Sequence, residues 1–118
     1  MNNLNSVILE GQLVRNPQAK TDHKGNMVCF FTLATERRFV RKHEEQQDIS
    51  YFDVEISNHS AELCAAVLEK DSGVRVMGRL REMTWIDNGG KKHSRLWIVG
   101  EHVERKELKA LVTSSENF

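Results

Sequence analysis

Two β-patterned runs joined by an Asn-Gly-Gly turn constrain this chain more than any other feature. GVRVMGRLREMTW (73–85) and SRLWIVGEHV (94–103) flank Asn88-Gly89-Gly90, and residues of that type supply the positive φ angles of a tight hairpin. In the first run Val74, Val76, Gly78 and Leu80 form one row, and Arg75, Met77, Arg79, Arg81, Met83 and Trp85 form the other. Successive side chains of a strand point to opposite faces. The first row therefore predicts a packed face, and the second a face carrying three arginines and a tryptophan.

The preceding residues supply the rest of a sheet. NSVILEGQLV (5–14) is β-rich and ends at the turn signal Arg15-Asn16-Pro17. A second turn at Lys24-Gly25-Asn26 introduces MVCFFTLAT (27–35), a largely buried strand. The polar stretch Arg41 to Asp48 reads as an exposed hairpin loop. SYFDVEIS (50–57) then alternates, with Phe52, Val54 and Ile56 on one face and Tyr51, Asp53 and Glu55 on the other. From Ser60 to Lys70 the period becomes helical, with Leu63, Val67, Cys64 and Leu68 recurring until Asp71-Ser72-Gly73. Three strands, one helix and two strands is the order expected of an all-β OB-fold, an order that small α+β domains share. The OB-fold is a five-stranded Greek-key barrel, here with one helix between strands 3 and 4, whose sheet face and loops bind oligonucleotides. Residues 1–105 are assigned to this domain and 106–118 to a short C-terminal tail.

At 118 residues the chain is the size of one domain. Seventeen basic and seventeen acidic side chains cancel, whereas nucleic-acid binders usually carry a basic footprint. Totals do not report distribution, and one basic face can coexist with acidic loops. The apolar runs Met27–Phe31 and Cys64–Leu68 are too short to span a bilayer. No positive charge precedes the apolar stretch at the N-terminus, which argues against a secretory signal. Cys29 and Cys64 read as buried thiols of a reducing compartment. A cytoplasmic, nucleoid-associated location and no membrane partner are expected.

Catalysis has little support. His23, His43, His59, His93 and His102 are scattered, and none pairs with a cysteine at zinc-ligand spacing. The chain lacks a P-loop string, and Ser60 and Cys64 lack a triad context. Asp53 and Glu55 share a strand face, which in principle suits a metal for phosphodiester cleavage. Such pairs on exposed strands ordinarily serve solubility, as do Glu44, Glu45 and Asp48 in the expected loop. No catalytic residue, metal or cofactor is assigned.

The strings VILEGQLVRNP, FTLAT, the 61–70 helix and GVRVMGRLREMTWIDNGGKKHSR together resemble the bacterial single-stranded DNA-binding protein family over residues 5 to about 104. Asn16-Pro17 stands where Asp-Pro is usual in that family. The resemblance implies binding of single-stranded DNA with little sequence preference, in replication, recombination and repair. Such binding needs aromatic faces for bases and cations for phosphates. Trp85, Phe39 and Tyr51 match the family's stacking positions. Arg37, Arg38, Arg41 and Lys42 surround Phe39, a poor environment for a core residue. Arg79 and Arg81 share the row of Trp85, and Arg75 is the weaker candidate there. Ser57 departs from the family, which usually keeps a further aromatic at that position. Trp97 and Phe30 are assigned to packing or subunit contact, and Lys24, Lys91 and Lys92 to solvent.

The family assembles as tetramers, so a homotetramer is expected, with a dimer as second choice. Phe52, Val54 and the open strand edges are its candidate contact surfaces. Family members continue into a flexible linker and an acidic tip that recruits replication and repair enzymes. ELKALVTSSENF carries one acid near its end and no proline, so recruitment through that tip is not expected. Leu108, Leu111 and Val112 fall at helical spacing and predict a short packed helix over 106–113. The short tail and zero net charge also fit a second reading, a primosome-type adaptor with the same fold and a mainly protein-binding role.

Overall fold

In the computed structural model, which describes residues 1–106, the apolar rows close on one another as a barrel. Its elements are β1 (Val7–Leu13), β2 (Gln18–Thr21), β3 (Met27–Arg41), β4 (Glu44–Ser57), α1 (Asn58–Val67), β5 (Gly73–Ile86) and β6 (Lys92–Lys106). Antiparallel pairings join β1 to β5, β5 to β6 and β4 to β3, and a short parallel pairing joins β6 to β4. The ring closes where Gln12 and Leu13 of β1 pair with Ala34 and Leu33 of β3. Five strands thus form the closed OB-type barrel expected from the sequence. Strand β2 is an addition at the edge of β3, too short and polar to signal itself.

The core is the inward row of each strand. Leu13, Leu33, Ile56, Ile98, Val54, Val74, Val76 and Cys29 are almost fully buried, and each apolar side chain of this kind contributes about 1.5–3 kcal/mol on burial. Val54 belongs to this core at 1% exposure, and Phe52 packs against it. Val54 is therefore unavailable for the intersubunit role the sequence suggested. Burial raises the thiol pKa of Cys29, and it pushes Cys64 up to about 11 with help from the nearby Cys29. Both thiols are free and stay protonated near neutrality.

Closure depends on a seam with little tolerance. Gln12 pairs with Gly73 of β5 and with Ala34 of β3, so β1 pivots there. The Thr35 hydroxyl donates to the Glu10 carbonyl at 3.1 Å, and Val14 N–H donates to the Thr32 carbonyl at 3.1 Å. At Gly11 a Cβ would collide with the Ala34 carbonyl, whose carbon would lie 2.9 Å away. At the strand's other end the Asn5 side chain accepts from Leu80 N–H at 2.9 Å and donates to Leu80 O at 2.8 Å. It thereby extends the ladder beyond Val7.

Helix α1 closes one end of the barrel through Ala61 and Cys64, while Leu63 and Val67 are exposed. It runs over 58–67 rather than the expected 60–70 because later amides are taken elsewhere. Glu69 N–H donates to Ser72 Oγ at 3.0 Å, and Lys70 N–H donates to Asn16 Oδ1 at 2.8 Å. Asp71 N–H then donates to the Leu13 carbonyl at 2.9 Å. The turn after α1 is thus sewn to the end of β1.

Two hairpins extend past the core as two-stranded arms. The expected loop at 41–48 is instead a strand pair turning at Lys42 and His43, with φ of 54° and 67°. Two positive φ angles are the signature of a two-residue hairpin turn matched to strand twist. Register sets Arg37 opposite Asp48 and Arg41 opposite Glu44, and opposite-charge cross-strand pairs stabilise such a ribbon. The β5–β6 arm turns through residues 87–91 with Gly90 at a φ of 82°, and Leu80, expected in the core, is 39% exposed near its base. Lys106, assigned to the tail, pairs with Gly73 as the last residue of β6. The rest of the predicted 106–113 helix lies outside the described residues.

The seam gives a direct stability test. Gly11→Ala should destabilise the fold by about 1–3 kcal/mol, since overpacking against backbone cannot relax by a rotamer change. Urea unfolding of both proteins measures it, and equal midpoints would remove the seam's importance.

Candidate nucleic-acid interface

The outward rows of β5, β6, β4 and β3 form one continuous surface. Arg79, Arg81, Met83 and Trp85 pair across to Val99, Trp97, Arg95 and His93. Glu55 lies opposite both Val99 of β6 and Phe30 of β3. The β5–β6 register slips at Met77/Gly78, where Glu101 is bulged out of β6. The parity of β5 is kept, so the arginine–tryptophan row read from the sequence holds.

Trp85 sits on the exposed arm at 45% exposure. One face is backed by His93, with ring centroids 5.4 Å apart and planes 18° from parallel. His93 is fixed in turn by Asp87, 2.7 Å from its Nε2. The other Asp87 oxygen accepts the N–H groups of Gly89 and Lys91, both at 2.9 Å. The bond to His93, then these amides, hold the Asp87 carboxyl below the usual carboxylate range. Its ionised contacts are complete above the ordinary aspartate value and are lost only as pH falls through that lowered one. One turn carboxylate therefore shapes the hairpin and orients the ring stack across neutral pH.

Arg81 and Arg95 lie over Trp97, their guanidinium carbons 5.5 and 4.8 Å from its ring centroid. The Trp97 indole N–H donates to Glu55 Oε1 at 3.0 Å. Thr32 Oγ1 donates to Asp53 Oδ1 at 2.9 Å, and Arg95 approaches Asp53 Oδ2 at 3.9 Å. The two carboxylates considered for a metal are thus engaged in positioning neighbours. Among the described residues no group of three or more His, Cys, Asp or Glu side chains is placed to hold a metal ion.

The other arm divides its candidates between two faces. Uniform β3–β4 register puts Arg37, Phe39 and Arg41 on one face of the ribbon, and Arg38 and Tyr51 on the other. Tyr51, 63% exposed, shares its face with Asp53 and Glu55 and hence with the Trp97 surface. Arg37 lies over Phe39, 4.4 Å from the ring centroid. Arg38 meets Glu36 at 3.2 Å. The Gln47 amide, followed by Arg38, holds the Glu36 carboxyl below its ordinary range. Lys42 occupies the turn.

Among the β5 arginines, Arg75 is paired with Glu10 and Glu104. Arg79 lies 3.5 Å from Glu101, an exposed pair of the kind worth about 0–1 kcal/mol and readily exchanged.

Sequence reasoning left out a part of this surface. A groove of about 410 Å³ is lined by Phe30, Glu55, Arg81, Met83, Trp85, Arg95 and Trp97. A second, of about 300 Å³, shares Phe30 and Arg95 and continues past Lys20 to Arg15. Trp97 does pack, at 6% exposure, but it packs as the wall of a groove. The usable signal was the odd parity of Arg95 and Trp97 on β6.

A closed five-strand barrel with a single helix at one end has the OB-fold architecture. The chain matches the single-strand binding protein family over residues 4–106 and belongs to it. It is 32% identical over 107 residues to a single-stranded DNA-binding protein of Helicobacter pylori, covering 90% of this chain and 60% of that protein. It is 37% identical over 93 residues to single-stranded DNA-binding protein 1 of Synechocystis, covering 78% of this chain and 74% of the other. A crystal structure of a deletion mutant of the single-stranded DNA binding protein from Thermus aquaticus superposes with a TM-score of 0.78 at 28% identity. That match covers 88% of this chain and 51% of the other. The chain thus spans only about three fifths of the Helicobacter protein and half of the Thermus chain.

Replacing the arm tryptophan tests this geometry. Because His93 backs one ring face and the other is open, Trp85→Ala should weaken oligo-dT binding by roughly 1–3 kcal/mol without unfolding the barrel. Fluorescence anisotropy reads the affinity, and an unchanged value removes Trp85 from the interface.

Proposed function

We propose that this chain binds single-stranded DNA largely without sequence preference, protecting it during replication, recombination and repair. The observation that carries the reading is the outward row Arg79, Arg81, Met83 and Trp85, with Trp85 buttressed on one side and exposed on the other. Bases stack on Trp85, Tyr51 and Phe39. The backbone follows Arg79 and Arg81 on one arm and Arg37, Arg38, Arg41 and Lys42 on the other. Stacking tolerates any base because every base has a flat face. The zero total charge is compatible with this, because phosphate contact depends on where the cations lie, and Arg79, Arg81 and Arg95 share the face of Trp85.

One short barrel offers only a short track, so we further propose a homotetramer around which a strand wraps, a dimer being the fallback. Analytical ultracentrifugation at micromolar concentration gives the mass, and a monomer contradicts both.

Titration with oligo-dT and with duplex DNA of equal length tests the function. Tight oligo-dT binding is expected, with far weaker duplex binding and a log–log salt slope of about −0.7 for each phosphate contact. Single alanine replacements at Arg79, Arg81 or Arg38 should each make the slope shallower. Absent or salt-insensitive oligo-dT binding overturns the reading and leaves the protein-adaptor role.

A further inference from the structure

The geometry points to an additional nucleotide subsite at Phe30, between the two grooves, where a base stacks on the phenyl ring and flanking phosphates meet Lys20 and Arg95. The inference rests on the strand-binding reading and extends the track beyond Trp85 across the barrel wall.

Phe30 projects outward from β3, while its neighbours Cys29 and Phe31 are buried in the core. It is half-buried, which leaves part of the ring to solvent and fixes the remainder. Lys20 Nζ lies 5.8 Å from the ring centroid, supplied by the added strand β2, where Gln18 pairs with Phe30. Arg95 lines both grooves that meet at this ring. Its guanidinium stacks on Trp97, and Trp97 is pinned by its bond to Glu55. A stacked guanidinium keeps its edge N–H groups free for phosphate, so Trp97 acts as a positioning residue for Arg95 and Arg81. Asp53 accepts from Thr32 and faces Arg95 at 3.9 Å, while Glu55 accepts from Trp97. Both keep their charge, and a phosphate competes with Asp53 for Arg95 in an exposed pair of the readily exchanged kind. Val28, two residues before Phe30, pairs with Ser57. An aromatic face is therefore present on this patch although Ser57 supplies none.

The chain has two tryptophans, so Trp85→Phe leaves Trp97 as the single reporter. Saturating oligo-dT should quench that remaining emission. Phe30→Leu keeps an apolar side chain but removes the flat face, and should weaken oligo-dT binding about 5- to 150-fold, the range for one stacked base. Lys20 is on an exposed strand, so Lys20→Gln should fold normally. It should make the log–log salt slope shallower by about 0.7. Thermal unfolding by circular dichroism accompanies each variant. If wild-type protein binds oligo-dT while Phe30→Leu binds within twofold of it, or Lys20→Gln keeps the wild-type slope, the subsite is wrong and the strand-binding reading stands. If wild-type protein does not bind oligo-dT, both are wrong.

Discussion

The closure of β1 against β5 on one side and β3 on the other is the constraint on which the remaining structure depends. It brings the Ala34 carbonyl against Gly11 and leaves no room for a side chain there. Gly78 and Gly100 are tight for separate reasons, Gly78 facing Val99 backbone where the β5–β6 register slips and Gly100 facing the Ile56 side chain in the core. With the ring closed, β3, β4, β5 and β6 each have one face committed to the core. Their other face, and both faces of the arms, are left to solvent. The candidate interface is built from that remainder.

This division gathers Arg79, Arg81 and Arg95 with Trp85 and Trp97 on one face of a chain of zero net charge. Glu10 is held by Arg75 and Lys106, and those bonds keep its carboxyl below the ordinary glutamate range. Asp87 shapes the β5–β6 turn and orients His93 on Trp85. Glu55 and Asp53 steady Trp97 and Arg95. Such acids organise the platform, while Arg81, Arg95 and Lys20 remain over aromatic rings at its surface.

Much of the barrel was legible in the sequence because burial writes a period into each strand. Val74 and Val76 against Arg75, and Val54 and Ile56 against Asp53 and Glu55, are such rows. The arms were not legible, since a ribbon wet on both faces needs no apolar alternation. Arg41 to Asp48 therefore read as a loop, and only the opposite charges across the ladder betrayed pairing. Phe30 was assigned to packing or subunit contact, because MVCFFTLAT is nearly all apolar and periodicity cannot say which face of such a run is outward. Trp97 was assigned to packing, which its 6% exposure supports. Its place beneath two guanidiniums depends on cross-strand register, a long-range property. The division of Phe39 and Tyr51 between opposite faces likewise required the uninterrupted β3–β4 register.

The central claim is that a single strand lies on the outward rows of β5, β6, β4 and β3 and passes onto the Phe39 face of the β3–β4 arm. Photocrosslinking with an oligonucleotide of 5-bromodeoxyuridine, followed by mass spectrometry of the conjugated peptides, maps that surface residue by residue. Crosslinks are predicted at Trp85, Tyr51 and Phe30, with none on helix α1. Efficient crosslinking confined to α1, around the exposed Leu63 and Val67, would contradict the account.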